Sequence, residues 1–111
     1  MSFSIITMKR KKVYISGRMT GVPPEESQAQ FQAAEDYLRE QGYEPVNPWK
    51  LAQIRSYIGW GRHIIDDLCE LQRCDSIYLL KGWNYSNGAN IEWLFAKGEG
   101  IPEYPLMRKR Q

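Results

Sequence analysis

Short apolar runs alternate along the chain with longer amphipathic stretches, and this rhythm predicts the elements. Val13, Tyr14 and Ile15 lie in a β-branched and aromatic run over 12–17 that ends in glycine, which reads as a strand buried on both faces. A Gly- and Pro-rich loop follows over 18–24. Phe31, Ala34, Leu38 and Gln41 recur at helical spacing and predict a helix over 25–41, stopped by Gly42. Residues 43–46 read as a weak second strand, with Pro45 favouring a sheet edge. Residues 50–59 carry no clear period and read as a turn of helix followed by loop. Ile64, Ile65, Leu68 and Leu71 form the apolar stripe of a helix over 61–73. The strongest strand is 75–80; after a loop over 81–88, a helix over 89–97 turns Ile91, Leu94 and Phe95 inward and ends at Gly98 and Gly100. A final strand is expected over 101–106, weakened by Pro102 and Pro105.

This β-α-β-α-β-α-β order predicts an α/β protein: a single flavodoxin-like (Rossmann-like) domain with a four- to five-stranded parallel sheet flanked by helices. The domain is expected over 12–107, between a flexible basic leader at 1–11 and a basic tail at 108–111. In such sheets ligands bind beyond the carboxyl ends of the strands, which singles out the loops 17–24 and 81–88.

The 111-residue chain has 42% hydrophobic and 13% aromatic residues, enough for one core and unlike a disordered protein. Its net charge of +2 hides an asymmetry: between Val13 and Met107 eight basic residues face thirteen acidic ones, so the body is acidic. That argues against a polymeric nucleic acid as partner, because a binder carries its basic face on the body. No apolar run is long enough for a membrane span and no signal peptide is evident, so a cytoplasmic location is expected. Cys69 and Cys74, five residues apart with a lone His63, match no common zinc spacing. Both thiols are expected to be reduced and buried.

The segment 81–92 carries the candidate chemistry. Trp83, Tyr85, Ser86, Asn87 and Gly88 precede a helix that holds Glu92, expected in its first turn where the helix dipole keeps the carboxylate ionised. Backbone N–H groups at such a helix start suit a phosphate or other anion. Asp66 and Asp67 stand adjacent within a helix, a poor place for Asp, and only one of the two is expected to face a pocket.

Residues Tyr14 to Gly21, Asn47-Pro48, Asp67 with Asp75 eight later, Gly82-Trp83 and Ser86 to Glu92 together resemble a small, mostly uncharacterised (DUF4406-type) family. That family is similar to nucleoside 2-deoxyribosyltransferases and 2'-deoxynucleoside 5'-monophosphate N-glycosidases. The resemblance implies that Glu92 is the nucleophile that attacks C1' of the sugar, that Asp67 protonates the nucleobase, and that Tyr14 holds the nucleophile. It also bears on the residue six before the nucleophile, which is acidic in transferases of free nucleosides and Ser in the monophosphate glycosidases; here it is Ser86. A hydroxyl accepts a 5'-phosphate that a carboxylate would repel, and Arg18 adds positive charge. Residues 17–20 do not reproduce the glycosidase phosphate loop residue for residue.

The expected function is therefore an N-glycosidase or N-deoxyribosyltransferase acting on a (deoxy)nucleoside or its 5'-monophosphate through a covalent glycosyl-Glu92 intermediate. Gly17, Arg18, Ser86, Asn87, Gly88 and Trp83 are the expected substrate contacts. No metal or other cofactor is expected, and a homodimer or larger homo-oligomer is. The alternative is a non-catalytic nucleotide-binding or sensing module, which would need no paired carboxylates.

Overall fold

The computed structural model describes residues 10–55 and 59–105. Residues 1–9 of the leader expected over 1–11, and the tail expected at 108–111, lie outside the described residues. In chain order the elements are β1 (Lys12–Ser16), α1 (Pro24–Glu40), β2 (Glu44–Val46), α2 (Pro48–Ile54), α3 (Trp60–Gln72), β3 (Ser76–Leu79), a 3₁₀ turn (Trp83–Tyr85) and α4 (Asn87–Glu99). The three strands form an open parallel sheet in the order β2-β1-β3, with Tyr14 level with Val46 on one side and Ile77 on the other.

Because β1 is central, its alternation divides the core in two. Val13 and Ile15 pack with Phe31, Ala34 and Leu38 of α1 on one face. Tyr14 packs on the other face with Leu71 of α3, Ile77 of β3 and Ala96 of α4. All four residues from Val13 to Ser16 are fully buried, as a strand covered on both faces requires. Pro45 sits in edge strand β2, where its missing N–H costs no ladder bond.

Four to five strands are not present among the described residues. The expected strand over 101–106 reduces to one parallel bridge between Glu103 and Ile77, held by Ile77 N–H to the Pro102 carbonyl at 3.0 Å and Tyr104 N–H to the Ile77 carbonyl at 2.8 Å. Pro102 and Pro105 have no N–H to extend the ladder. Three smaller expectations also change. The turn of helix expected at the start of 50–59 begins earlier and is longer, as the two-turn α2 (Pro48–Ile54). Leu94 and Ile65, expected inward, are 61% and 59% exposed, because α3 and α4 bury the neighbouring Leu71, Glu92 and Ala96 instead. Cys69 is exposed on α3; Cys74 alone is buried, and burial pushes its thiol up to about 12.

Two local devices set the ends of the strands that face the site. Gly17 ends β1 against Leu80, where an added Cβ would lie 2.7 Å from the leucine Cδ1 and would force Leu80 to shift. Asn47 ends β2: its Oδ1 caps α2 by accepting from Trp49 N–H at 2.9 Å, and its Nδ2 donates to Glu35 Oε1 at 3.0 Å. Burial alone would raise the Glu35 carboxyl, but Asn47 and Lys50 outweigh it and hold the group below its ordinary range. No helix among the described residues is long and apolar enough to cross a membrane. Removing the cap and the Glu35 partner together, as Asn47→Ala does, is expected to cost about 2 kcal/mol in urea unfolding; a loss within a few tenths would show that neither contact matters.

Candidate active site

Segments that follow all three strands enclose one cavity of about 410 Å³. Gly17, Arg18 and Thr20 come from the β1 end, Pro48 and Ala52 from α2 behind β2, and Tyr85 to Ala89 from the turn behind β3. The chain leaves β1 for β2 on one side and β3 on the other, so this is where an open parallel sheet places its crevice. Helix α3 supplies the remaining wall with Trp60, His63, Ile64 and Asp67.

Glu92 lies in the second turn of α4, five residues beyond Asn87, and is only 5% exposed while still reaching the cavity. It is gripped from the central strand: Tyr14 Oη donates to Oε2 at 2.8 Å and Ser16 Oγ donates to Oε1 at 2.6 Å. The expectation of a first-turn carboxylate kept ionised by the helix dipole is therefore corrected. Burial dominates and pushes the Glu92 carboxyl up to about 7, against the two hydroxyl hydrogen bonds that favour its charged form; the charge of Asp67 raises it further. Tyr14 is fully buried, and that burial together with the Glu92 charge raises its phenol well above the ordinary value.

Asp67 is the member of the aspartate pair that turns inward, at 8% exposure, while Asp66 makes a surface pair with Arg62 at 4.0 Å. Arg55 Nη1 stands 2.8 Å from Asp67 Oδ1, with both side chains 11% exposed. The same nitrogen lies 3.2 Å from His63 Nδ1. Burial raises the Asp67 carboxyl and outweighs the opposing pull of Arg55.

Ser86 is the N-cap of α4, its Oγ accepting from Ala89 N–H at 3.1 Å. The N–H groups of Asn87 and Gly88 open the helix, beyond the reach of any intrahelical carbonyl. Arg18 folds over its own loop, Nε donating to the Thr20 carbonyl at 3.1 Å, and Ser27 Oγ fixes that loop by donating to the Arg18 carbonyl at 2.8 Å.

The structure thus brings Tyr14, Gly17, Arg18, Asp67, Ser86, Asn87, Gly88 and Glu92 to one place, although Tyr14 sits beneath the cavity and touches it through Glu92. Trp83 is not among the lining residues. Its ring packs on Trp93 at 5.5 Å, and Trp93 Nε1 donates to Glu103. The lining aromatics are instead Trp60 and Tyr85, 57% and 75% exposed at the rim. Sequence reasoning also missed Ser16 and Arg55. Ser16 was findable, since it stands two residues after Tyr14 and a strand repeats every two; Arg55 lies in a stretch without periodicity and gave no signal.

Fold and site together define a small parallel α/β domain with two buried carboxylates in a cavity beyond the strand ends. The chain belongs to the family described as "Domain of unknown function (DUF4406)", whose model matches residues 11–103. No curated protein matches the chain.

The raised carboxyl of Glu92 links the site to stability. An unfolded Glu titrates near 4.5 and the folded one near 7, so the folded state holds this proton more tightly and stability falls as pH rises from 4.5 to 7. Glu92→Gln removes that loss and is expected to stabilise the protein by up to about 3 kcal/mol at pH 8 and by little at pH 4. Thermal unfolding of both forms at the two pH values checks it; a variant less stable at pH 8 would show that the ionised carboxylate supports the fold.

Proposed function

We propose that the protein is an N-glycosidase or N-deoxyribosyltransferase that cleaves the base–sugar bond of a (deoxy)nucleoside or its 5'-monophosphate through a covalent glycosyl-Glu92 intermediate. The observation that carries this reading is the buried Glu92 carboxylate, held at both oxygens by Tyr14 and Ser16 while facing the same cavity as Asp67. Burying a carboxylate costs several kcal/mol; the structural Glu35 offsets this with Lys50 and Arg39, whereas Glu92 has hydroxyl partners and no cation contact among the described residues. The motif residues that resemble nucleoside 2-deoxyribosyltransferases and the monophosphate glycosidases, Tyr14, Asp67, Ser86 and Glu92, meet at this cavity, which supports the likeness. Its volume of about 410 Å³ suits a small molecule. We read the β2-β1-β3 order as the core of a flavodoxin-like sheet.

In this mechanism the two hydroxyls fix the Glu92 carboxylate, and each oxygen keeps a further lone pair for attack. One of them bonds to C1' as the bond from C1' to the base nitrogen breaks. The electron pair leaves with the base, which takes a proton from Asp67. Water, or a second base, then attacks C1' and frees Glu92, and Asp67 takes up the proton that the incoming nucleophile loses. The Asn87 and Gly88 N–H groups and Arg18, all in the lining, suit a 5'-phosphate. Pro48, Ala52 and Trp60 add apolar and aromatic lining that suits a base.

Release of free base from a panel of nucleosides and 5'-monophosphates tests the reading. Wild type is expected to release base and Glu92→Ala to lose at least about a thousandfold. Saturable binding of intact nucleotide without release would point instead to a nucleotide-binding module. The nucleophile must be ionised, so kcat/KM is expected to fall as pH drops through about 7. Ser16→Ala removes a hydrogen bond to the charged form and should move that limb up by about one pH unit; a limb that stays in place would remove Glu92 as the titrating group.

A further inference from the structure

Arg55 has no role in the chemistry above, yet its cation is almost as buried as the carboxylate it faces. A guanidinium carries five donors and no acceptor. The contact between Arg55 Nη1 and His63 Nδ1 at 3.2 Å therefore runs one way: the imidazole nitrogen accepts, and the ring carries its proton on Nε2. Asp67 shows the other side of this arrangement. Its Oδ1 is buried and lies 2.8 Å from the same Nη1, yet no hydrogen bond is aligned on it. The charges meet at Asp67, whereas the directed N–H goes to His63. A well-aligned arginine fork would instead clamp the carboxylate at both oxygens and lock it in the charged form.

We propose that Arg55 and His63 form a positioning pair for Asp67: His63 draws the Arg55 hydrogen bond to itself, so Arg55 orients the Asp67 carboxyl through Oδ1 without clamping both oxygens, and Oδ2 stays able to hold and give a proton. This rests on the reading of Asp67 as proton donor to the leaving base. The proton on Oδ2 passes to the base nitrogen as the base departs with the bonding pair, and the resulting carboxylate faces the Arg55 cation until the incoming nucleophile returns a proton. The charged and titratable groups around Asp67 are Arg55 beyond α2, His63 and Asp66 on α3, Glu92 on α4 and Tyr14 on β1. Arg55 and His63 touch each other across the α2–α3 wall, and Arg55 also contacts the carboxyl.

His63 is the single histidine of the chain, so its ring nitrogens are assigned without ambiguity in a ¹⁵N NMR spectrum. At pH 8 wild type is expected to show an unprotonated Nδ1 and a protonated Nε2; the opposite tautomer overturns the pair. The Asp67 carboxyl is then titrated by ¹³C NMR. His63→Leu frees Nη1 for Asp67 and should lower the midpoint by about one pH unit, whereas Arg55→Met should raise it. His63→Gln keeps an acceptor for Arg55 and should leave the midpoint near wild type. A midpoint that His63→Leu leaves in place or raises, or one that His63→Gln lowers as much as His63→Leu does, sinks the proposal. None of these readouts needs turnover. Shifts as expected in a protein that releases no base would overturn the glycosidase reading alone, and base release without the shifts would overturn the pair alone.

Discussion

A carboxylate on one helix, held by two hydroxyls on the central strand, ties the parts of this molecule together. Glu92 sits in α4, and Tyr14 and Ser16 sit in β1, 78 and 76 residues away in the chain. Burial of the carboxyl works against its charge, so the contact persists only because both oxygens are satisfied from the sheet. The same contact fixes how α4 lies on the sheet, and hence where Ser86 and the helix start are aimed. Moving β1 by one residue would replace these hydroxyls with Val13 and Ile15, which face α1.

The two faces of the sheet divide the labour. The α1 face is apolar, built from Val13, Ile15, Phe31, Ala34 and Leu38, and serves stability. The α3–α4 face begins in the same way at Leu71, Ile77 and Ala96 and becomes polar towards the carboxyl ends of the strands, where Ser16, Asp67 and Glu92 stand. Outside the cavity, buried polar groups are used to hold its walls. Asn47 joins the cap of α2 to Glu35 of α1, and Trp49 Nε1 donates to Ser27 Oγ at 2.8 Å, the hydroxyl that also anchors the Arg18 loop. The Asn47-Pro48 step thus acts on the cavity through its frame.

Opposed influences on two carboxyls give the site its chemical character. Glu92 meets hydroxyls only, and burial raises it to about 7. Asp67 meets a cation, yet burial outweighs Arg55 and still raises it. Desolvation therefore moves both carboxyls in the same direction, towards the protonated form, and brings Glu92 close to neutral pH.

The sequence by itself determined the elements whose burial is one-sided or complete. Periodicity placed β1, α1, α3, β3 and α4 to within a few residues, and Pro45 marked β2 as an edge strand, because apolar spacing and a missing N–H act locally. The order of elements implied a parallel sheet and put the crevice at the loops after β1 and β3, and the motif residues led to Glu92, Asp67 and Ser86. Tertiary structure decided the rest. It kept residues 101–105 to one bridge, turned Leu94 outward, sent Trp83 to Trp93 and brought Arg55 from an unpatterned stretch to Asp67. It also reversed the expected influence on Glu92, since a helix dipole is legible from position in sequence but desolvation is not. Burial and ion pairing depend on which distant segments close over a group, and only the packed chain supplies them.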